Sequence, residues 1–354
     1  LNMRAIGFVV ALAVVTVCHA ATPELRFAWK QMDFAWETPE SRANAINEKR
    51  FIPENNLPLG LARWKNKVFV TVPRWKAGVA STLNYVDLDG PQDQALKPYP
   101  SFKDNFVPDD AKELPSNSSL ISVFRVFVDE CDRLWVIDSG MADIFGAGNQ
   151  INGPSIVIFD LKTDQLIHRY QCKASDMKED SFFANIVVDV NKDTCDDAYA
   201  YIPDLGGYGV VVYSLKQDDS WRISHHYFHF EPLAGSYNVS GIEYRTMFFH
   251  AFSSTKEFCV STELLRNYKH IDKIEAFHDF KLLGDRGERT QSAASYYDPK
   301  THVLFYTQVD SEGTLWVLTD KLARFLYKTI DPNEVNYRIF SIDTTQAIEG
   351  TTCQ

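Results

Sequence analysis

The sequence predicts an all-β fold, a β-propeller in which one antiparallel unit is repeated around a ring. Three observations predict it. Residues Phe124 to Gly140, FRVFVDECDRLWVIDSG, read as two strands joined by a tight acidic turn, with a third strand at Ser155 to Leu161. The same outline recurs along the chain with almost no helical periodicity, and three or four strands per copy over several copies is how propeller blades look in sequence. The chain has 354 residues, 45% of them hydrophobic, which is enough to bury a large core.

Each strand has a local reason. In the unit above, Val126 and Val128 alternate with Arg125 and Phe127, and Asp129-Glu130-Cys131-Asp132 supplies turn chemistry. Leu134-Trp135-Val136-Ile137 then runs apolar up to Asp138-Ser139-Gly140, the pattern of a strand buried on both faces.

In chain order, Met3 to Ala20 has the layout of a secretory signal peptide: Arg4, an apolar run from Ala5 to Val17 and a small-residue end at Ala20-Ala21. The run is too short to span a bilayer comfortably. Residues 21–58 read as an N-terminal arm on a single domain that reaches residue 354. Leu59 to Trp64, Lys67 to Arg74 and Thr82 to Leu88 make the first copy, and a polar connection, Asp89 to Ser119, leads to the second. The third copy is Ala184 to Val190, Ala198 to Asp204 and Gly209 to Leu215. The fourth is partial, with Met247 to His250 and Phe258 to Thr262. The fifth is Ala293 to Asp298 and Val303 to Thr307; the sixth is Thr314 to Leu318 with Arg324 to Tyr327 after it. Val303 and Leu315 lie only about a dozen residues apart, where a blade needs about 40 to 50. A pair of β-sandwich domains is the alternative, but it gives no reason for the pattern to recur.

Formal net charge is −11, and loss of the leader with Arg4 makes the chain more acidic still. That excludes a nucleic-acid binder, for want of a basic excess to neutralise phosphates, and disfavours an anionic membrane surface. Outside the leader lie Cys131, Cys172, Cys195, Cys259 and Cys353, expected to pair in an oxidising compartment although their number is odd. No C-x-x-C occurs, which removes the usual redox and zinc-ribbon readings. Asn117 and Asn238 head glycosylation sequons, in keeping with secretion to the extracellular space.

FRVFVDECDRLWVIDSG, YIPDLGGYGVVVYSL, EFCVSTELLRN and GTLWVLTDKLARFLYKTIDPNEVNYRIF together resemble the insect yellow and major royal jelly proteins, over nearly all of the chain after the leader. The resemblance implies a secreted six-bladed propeller with a ligand pocket at its central channel. The expected state is a monomer without cofactor. Family members carry an Asp-Gly-Ile-Phe-Gly type strand before YRTMFFHAF, and a Cys-Trp plus Phe-Pro-Asn-Asp type segment before GTLWVL; both are absent here. Blades 4 to 6 are therefore expected to be incomplete, losing the inner strands of blades four and six and much of the outer part of blade five. The absent cysteine also accounts for the odd count. A lost inner strand leaves unpaired edges and an open channel wall.

Inner strands line a propeller channel, so Arg125, Phe127, Asn185, Gln291 and Ser292 are the ligand-binding candidates. An arginine and amides beside aromatic rings suit a small aromatic ligand, dopachrome-like or a biogenic amine. For some members the resemblance implies dopachrome-converting (tautomerase) activity in melanin and cuticle pigmentation. Such a step moves a proton, and Asp138 or Asp204 as base with Arg125 as anion holder is the expected arrangement. Salivary members imply the alternative, non-catalytic binding of biogenic amines. A calcium-dependent lactonase with Asn185 as an oxygen ligand, and a storage protein, are further readings on the same fold. His225, His226 and His229 are set against a metal site by the reading of HHYFHF as an outer strand, since no carboxylate or Cys joins them at ligand spacing. Asp129, Asp189 and Asp298 recur at strand ends, which favours turn hydrogen bonds over an acid/base set. Gly206-Gly207-Tyr208-Gly209 lies between two strands and reads as a turn rather than a phosphate cradle, and no Gly-x-Ser-x-Gly elbow is present.

Overall fold

The computed structural model describes residues 22–107, 116–229, 246–250, 256–266, 279–285, 296–298, 303–305, 308–309, 312–327 and 329–349. Its architecture is all-β, a series of antiparallel sheets. Sheet I holds β2 (Leu61–Trp64), β3 (Lys67–Thr71), β4 (Leu83–Asp87) and β5 (Lys97–Pro98) in that order. Sheet II runs from β6 (Val123–Val128) through β7 (Arg133–Asp138) and β10 (Ser155–Asp160) to β11 (Gln165–Gln171), with a small hairpin of β8 (Met141–Ala142) and β9 (Asn149–Gln150) inserted after β7. Sheet III holds β12 (Val187–Asp189), β13 (Tyr199–Asp204), β14 (Gly209–Ser214) and β15 (Asp219–Ser224). Sheet IV has three strands, β16 (Thr246–Phe249), β17 (Lys256–Ser261) and β18 (Lys281–Asp285), and sheet V two, β19 (Tyr296–Asp298) and β20 (Val303–Phe305). Sheet VI joins β21 (Gln308–Val309), β22 (Thr314–Thr319) and β23 (Tyr337–Asp343) to β1 (Glu24–Trp29), the first strand of all.

Turn chemistry sets these hairpins. Lys65, Asp132, Asp164 and Asp218 adopt positive φ of 51°, 59°, 54° and 48° at the tips between strands, a conformation that short polar residues such as Asp tolerate best. Every residue of β7 and of β14 is buried, as their unbroken apolar runs require.

The sheets pack face to face in sequence order. Phe69 and Tyr99 of sheet I meet Val126, Leu134, Val157 and Phe159 of sheet II. The opposite face of sheet II sets Trp135, Ile156 and Ile158 against Ala200, Val211 and Tyr213 of sheet III. Tyr201, Val210 and Val212 then meet Phe249, Phe258 and Val260 of sheet IV. Behind sheet I, Val68, Val70 and Val86 pack on Trp316 and Ile339 of sheet VI, together with Phe27 and Trp29 of β1.

Several expectations change. The N-terminal segment is more than an arm, because β1 pairs with β23 from Glu24↔Ser341 to Trp29↔Tyr337. After it, helix Pro39–Asn47 starts at a capping box between Thr38 and Ser41, and Phe34 and Phe51 plug the core. The Asp89 to Ser119 connection contains β5 and a one-turn helix, Phe102–Asn105. Arg324 to Tyr327 belong to a helix, Leu322–Tyr327, opened by the Asp320 carboxylate accepting from Leu322 N at 3.0 Å. The His segment follows β15 as a 3-10 turn, His226–Phe228, in which His225 stacks on Phe280, so it is no outer strand.

Among the described cysteines, Cys131 and Cys195 form a disulfide between the β6–β7 and β12–β13 turns, equivalent points of neighbouring sheets. Cys172 and Cys259 are free thiols, more than the single unpaired cysteine that the odd count implied. Cys172 sits in the apolar core between sheets II and III, where burial pushes its thiol up to about 12. Cys353 lies outside the described residues.

Candidate functional site

At one end of sheets II and III, two buried aspartates close the second strands. Asp138, last in β7, accepts hydrogen bonds from Ile121 N at 2.9 Å, Ser122 N at 2.8 Å and Gly140 N at 3.0 Å, with the Arg169 guanidinium 3.9 Å away. Asp204, last in β13, accepts from Phe182 N at 2.7 Å, Gly207 N at 2.9 Å, Ser181 Oγ at 2.5 Å and Arg222 Nη1 at 2.8 Å. Each carboxylate thus ties the segment before one edge strand to the end of the next strand and to an arginine of the opposite edge strand. Burial pushes Asp204 upward, but the donors on Ser181, Gly207, Arg222 and Phe182 outweigh it and hold the carboxyl below its usual range. A carboxylate so stabilised is a weak proton acceptor at neutral pH, so this geometry favours a positioning role over the base expected from sequence.

Arg125 differs. It lies on β6, an edge strand of sheet II, where the segment leading into β2 comes very close. A Cβ on Gly60 would fall 2.6 Å from Phe124 O and 3.2 Å from Arg125 Cα, so only glycine admits this approach. Thr71 Oγ1 accepts from Gly60 N and donates to Phe124 O, both at 2.7 Å, which locks the backbone carrying Arg125. Among the described residues the Arg125 guanidinium donates no hydrogen bond and forms no ion pair. Burial pushes its pKa down, and the charge that opposes this is Asp320, which follows β22 in sheet VI.

Around Phe124, the residue before Arg125, lies an aromatic group. Trp75 packs edge-on to Phe124 at 4.9 Å and parallel to Phe145 at 5.1 Å, and Phe182 meets Phe124 at 4.8 Å. Phe145, on the β8–β9 hairpin, is 55% exposed. Its N–H donates to Trp75 O at 2.8 Å, holding the hairpin of sheet II over the loop of sheet I. Trp75 Nε1 is buried and has no hydrogen-bond partner among the described residues. A cavity of about 1160 Å³ opens between helix Pro39–Asn47, residues 74–80 and the β8–β9 hairpin. Neither Arg125 nor Asp320 lines it, so the candidate site rests on charge and ring geometry rather than on volume.

The other sequence candidates scatter. Phe127 packs against the core between sheets II and III. Asn185 is half-buried, and its Oδ1 accepts from Ile186 N at 2.9 Å. Gln291, Ser292 and Asn238 lie outside the described residues. Asn117 is exposed. Asp129 is a turn residue as read, accepting from Cys131 N, Arg133 N, Arg133 Nε and Trp135 Nε1. Among the described residues no three His, Cys, Asp or Glu side chains converge as a metal would require.

Trp75 and Asp320 escaped the reading of the sequence. For Asp320 a partial signal existed: LWVLTD resembles the LWVID that ends β7, with one more residue before the aspartate, so that Asp320 falls just past β22. Trp75 sits in a loop with no repeat to mark it.

The sequence model for "Major royal jelly protein" matches residues 121–313 and 309–353, two pieces that overlap where the GTLWVL strand begins. Protein yellow of Drosophila yakuba is 33% identical over 393 residues, covering 93% of this chain and 70% of that protein. Protein yellow of Drosophila erecta is 33% identical over 411 residues, 98% of this chain and 73% of its own. Dopaminechrome tautomerase of Drosophila melanogaster is 33% identical over 393 residues, covering 93% and 84%. These alignments are longer than the 354 residues of the chain, so the relatives carry segments that it lacks. With a family match across the second and later sheets and a third of its residues shared with yellow proteins over nearly its whole length, this chain belongs to the major royal jelly protein family.

Proposed function

We propose that this is a secreted yellow-type protein of pigmentation, a six-bladed propeller with blades 4 to 6 thinned, that isomerises an aminochrome at the mouth of its channel. One observation carries the reading: the Arg125 guanidinium, on an edge strand of sheet II, has no acceptor among the described residues, and the rings of Trp75, Phe124 and Phe182 cluster at the preceding residue of the same strand. Such a cation suits the oxygen of a planar ligand as negative charge gathers there, and the rings supply a flat apolar wall. Conversion of an aminochrome to a dihydroxyindole moves two protons: each of two neighbouring ring carbons loses one, its electron pair passes through the ring to a quinone oxygen, and that oxygen is protonated. Nothing is oxidised or reduced, so no redox cofactor is called for. The tautomerase name of one relative supports the same class of reaction. Exposure of Asn117 in its sequon and the Cys131–Cys195 bridge support secretion.

The test is the rate at which freshly oxidised dopamine loses its aminochrome absorbance with the purified protein, against the spontaneous rate. Acceleration is expected, with Arg125→Met reducing kcat/KM about 100-fold, as for loss of a single oxyanion donor. The second reading, stoichiometric binding of a biogenic amine, is favoured by the net charge of −11, which draws cations. Saturable binding of dopamine without turnover would select it.

A further inference from the structure

We propose that the cavity between helix Pro39–Asn47, residues 74–80 and the β8–β9 hairpin is a second ligand site, one that takes a planar organic anion; this does not depend on the isomerase reading above. Its volume of about 1160 Å³ is ample for a small molecule, and Arg125 is not part of its lining. Charge points to the kind of ligand. The chain carries 47 acidic against 36 basic residues, yet this lining inverts the balance, setting Lys49, Arg50, Arg74, Lys76 and Lys103 against Glu37, Glu48 and Asp143.

Pairing within the wall sharpens the inversion. Arg50 and Glu48 cancel one another at 2.5 Å. Asp143 turns its carboxylate into its own hairpin, accepting from Ala147 N at 2.8 Å. Lys76 is taken up by Phe325, donating to its carbonyl at 2.8 Å. Lys49 and Lys103 are exposed and have no acceptor among the described residues, and Glu37 is the acid left to oppose them. Arg74 is the fixed cation. It is 7% exposed, and its guanidinium donates to the carbonyls of Leu120, Ile121 and Asn105, with no carboxylate in contact among the described residues. Burial pushes it down to about 10, opposed by the charge of Asp138, which is already occupied by Ile121 N, Ser122 N and Gly140 N. Arg74 therefore stays charged at neutral pH and would gain from an anion in the cavity. The same wall offers flat apolar surface. Trp36 stacks on Phe102 at 4.9 Å, its indole N–H fixed on Asp33 at 3.0 Å, and Phe106, 43% exposed, lies under the Arg50 guanidinium. A ring bearing a carboxylate answers both features, by stacking and by charge-assisted hydrogen bonds.

The experiment titrates the full-length protein calorimetrically with indole-3-acetate, indole and tryptamine, probes that share a ring and differ in charge. Indole-3-acetate is expected to bind saturably, about 10-fold tighter than indole, with tryptamine unable to displace it. Lys49→Asn combined with Lys103→Gln should weaken it about 10-fold, and Phe106→Ser about 5-fold. Asparagine suits the positive φ of 58° at position 49, and all three side chains are exposed, so the unfolding midpoint should hold. Arg125→Met should bind indole-3-acetate as wild type does, which separates this cavity from the isomerase site. The proposal is overturned if no probe binds, if indole binds as tightly as indole-3-acetate, if the double variant keeps wild-type affinity, or if Arg125→Met abolishes binding. Inorganic phosphate displacing indole-3-acetate at equal concentration would overturn its planar part. The isomerase reading is tested separately, by turnover.

Discussion

At the scale of single residues, the same side chain serves two ends. Asp204 closes its strand enclosed by donors, whereas Asp320, just past β22, accepts among the described residues only from Leu322 N. Removing the Asp204 charge strands Arg222, whose side chain is 10% exposed, so Asp204→Ala should cost about 3–5 kcal/mol in denaturant unfolding. The pH dependence follows from the sign of the shift. Its folded pKa lies below the ordinary value of 3.8, so its contribution is complete above that value and is lost as pH falls through the folded one. Acid unfolding of Asp204→Asn should therefore lose part of its slope below about pH 4. Sequence could propose Asp138 and Asp204 because their strands end abruptly in a carboxylate. It could not tell a bonded carboxylate from an available one, since the donors that decide this include Ile121, Ser122 and Phe182, 16 to 22 residues earlier in the chain.

At the scale of elements, the strands were legible and their fastenings were not. Leu134 to Ile137 announces a doubly buried strand by composition alone, and β7 is buried throughout. HHYFHF misled because a run of His and aromatics has strand character, while stacking of His225 on Phe280 and of Tyr227 on Phe258 turns the chain instead. Odd cysteine arithmetic gave no pairing, and the bridge proved to join like turns of sheets II and III, 64 residues apart. Replacing Cys131 and Cys195 together by serine should lower stability by about 2–4 kcal/mol, read as a shift in the denaturant midpoint of a monomeric sample. The loss should be selective. Hydrogen exchange in the β6–β7 and β12–β13 turns should quicken while sheet I keeps its protection.

At the scale of the molecule, repetition made the fold class readable: each sheet needs a neighbour, and sheets VI, I, II, III and IV supply one another with apolar faces. What local sequence hid was the union of the two ends, because a pair such as Arg26 Nε with Ser341 Oγ at 2.7 Å spans 315 residues and leaves no trace in either stretch. Phe27 checks that union. It is 1% exposed on β1, so Phe27→Ala should cost about 3–5 kcal/mol, as in any continuous core, whereas a loose arm would lose almost nothing in the same unfolding experiment. The pairing of β1 with β23 also sets a timetable for biosynthesis. At roughly 5–20 residues per second, the ribosome delivers Tyr337 on the order of 15–60 s after Trp29. Throughout that interval sheets I to III can assemble while the first strand, with Phe27 and Trp29, has no permanent partner. A nascent chain halted anywhere short of Tyr337 would carry finished sheets and an unmated strand, an edge open to pairing with other chains.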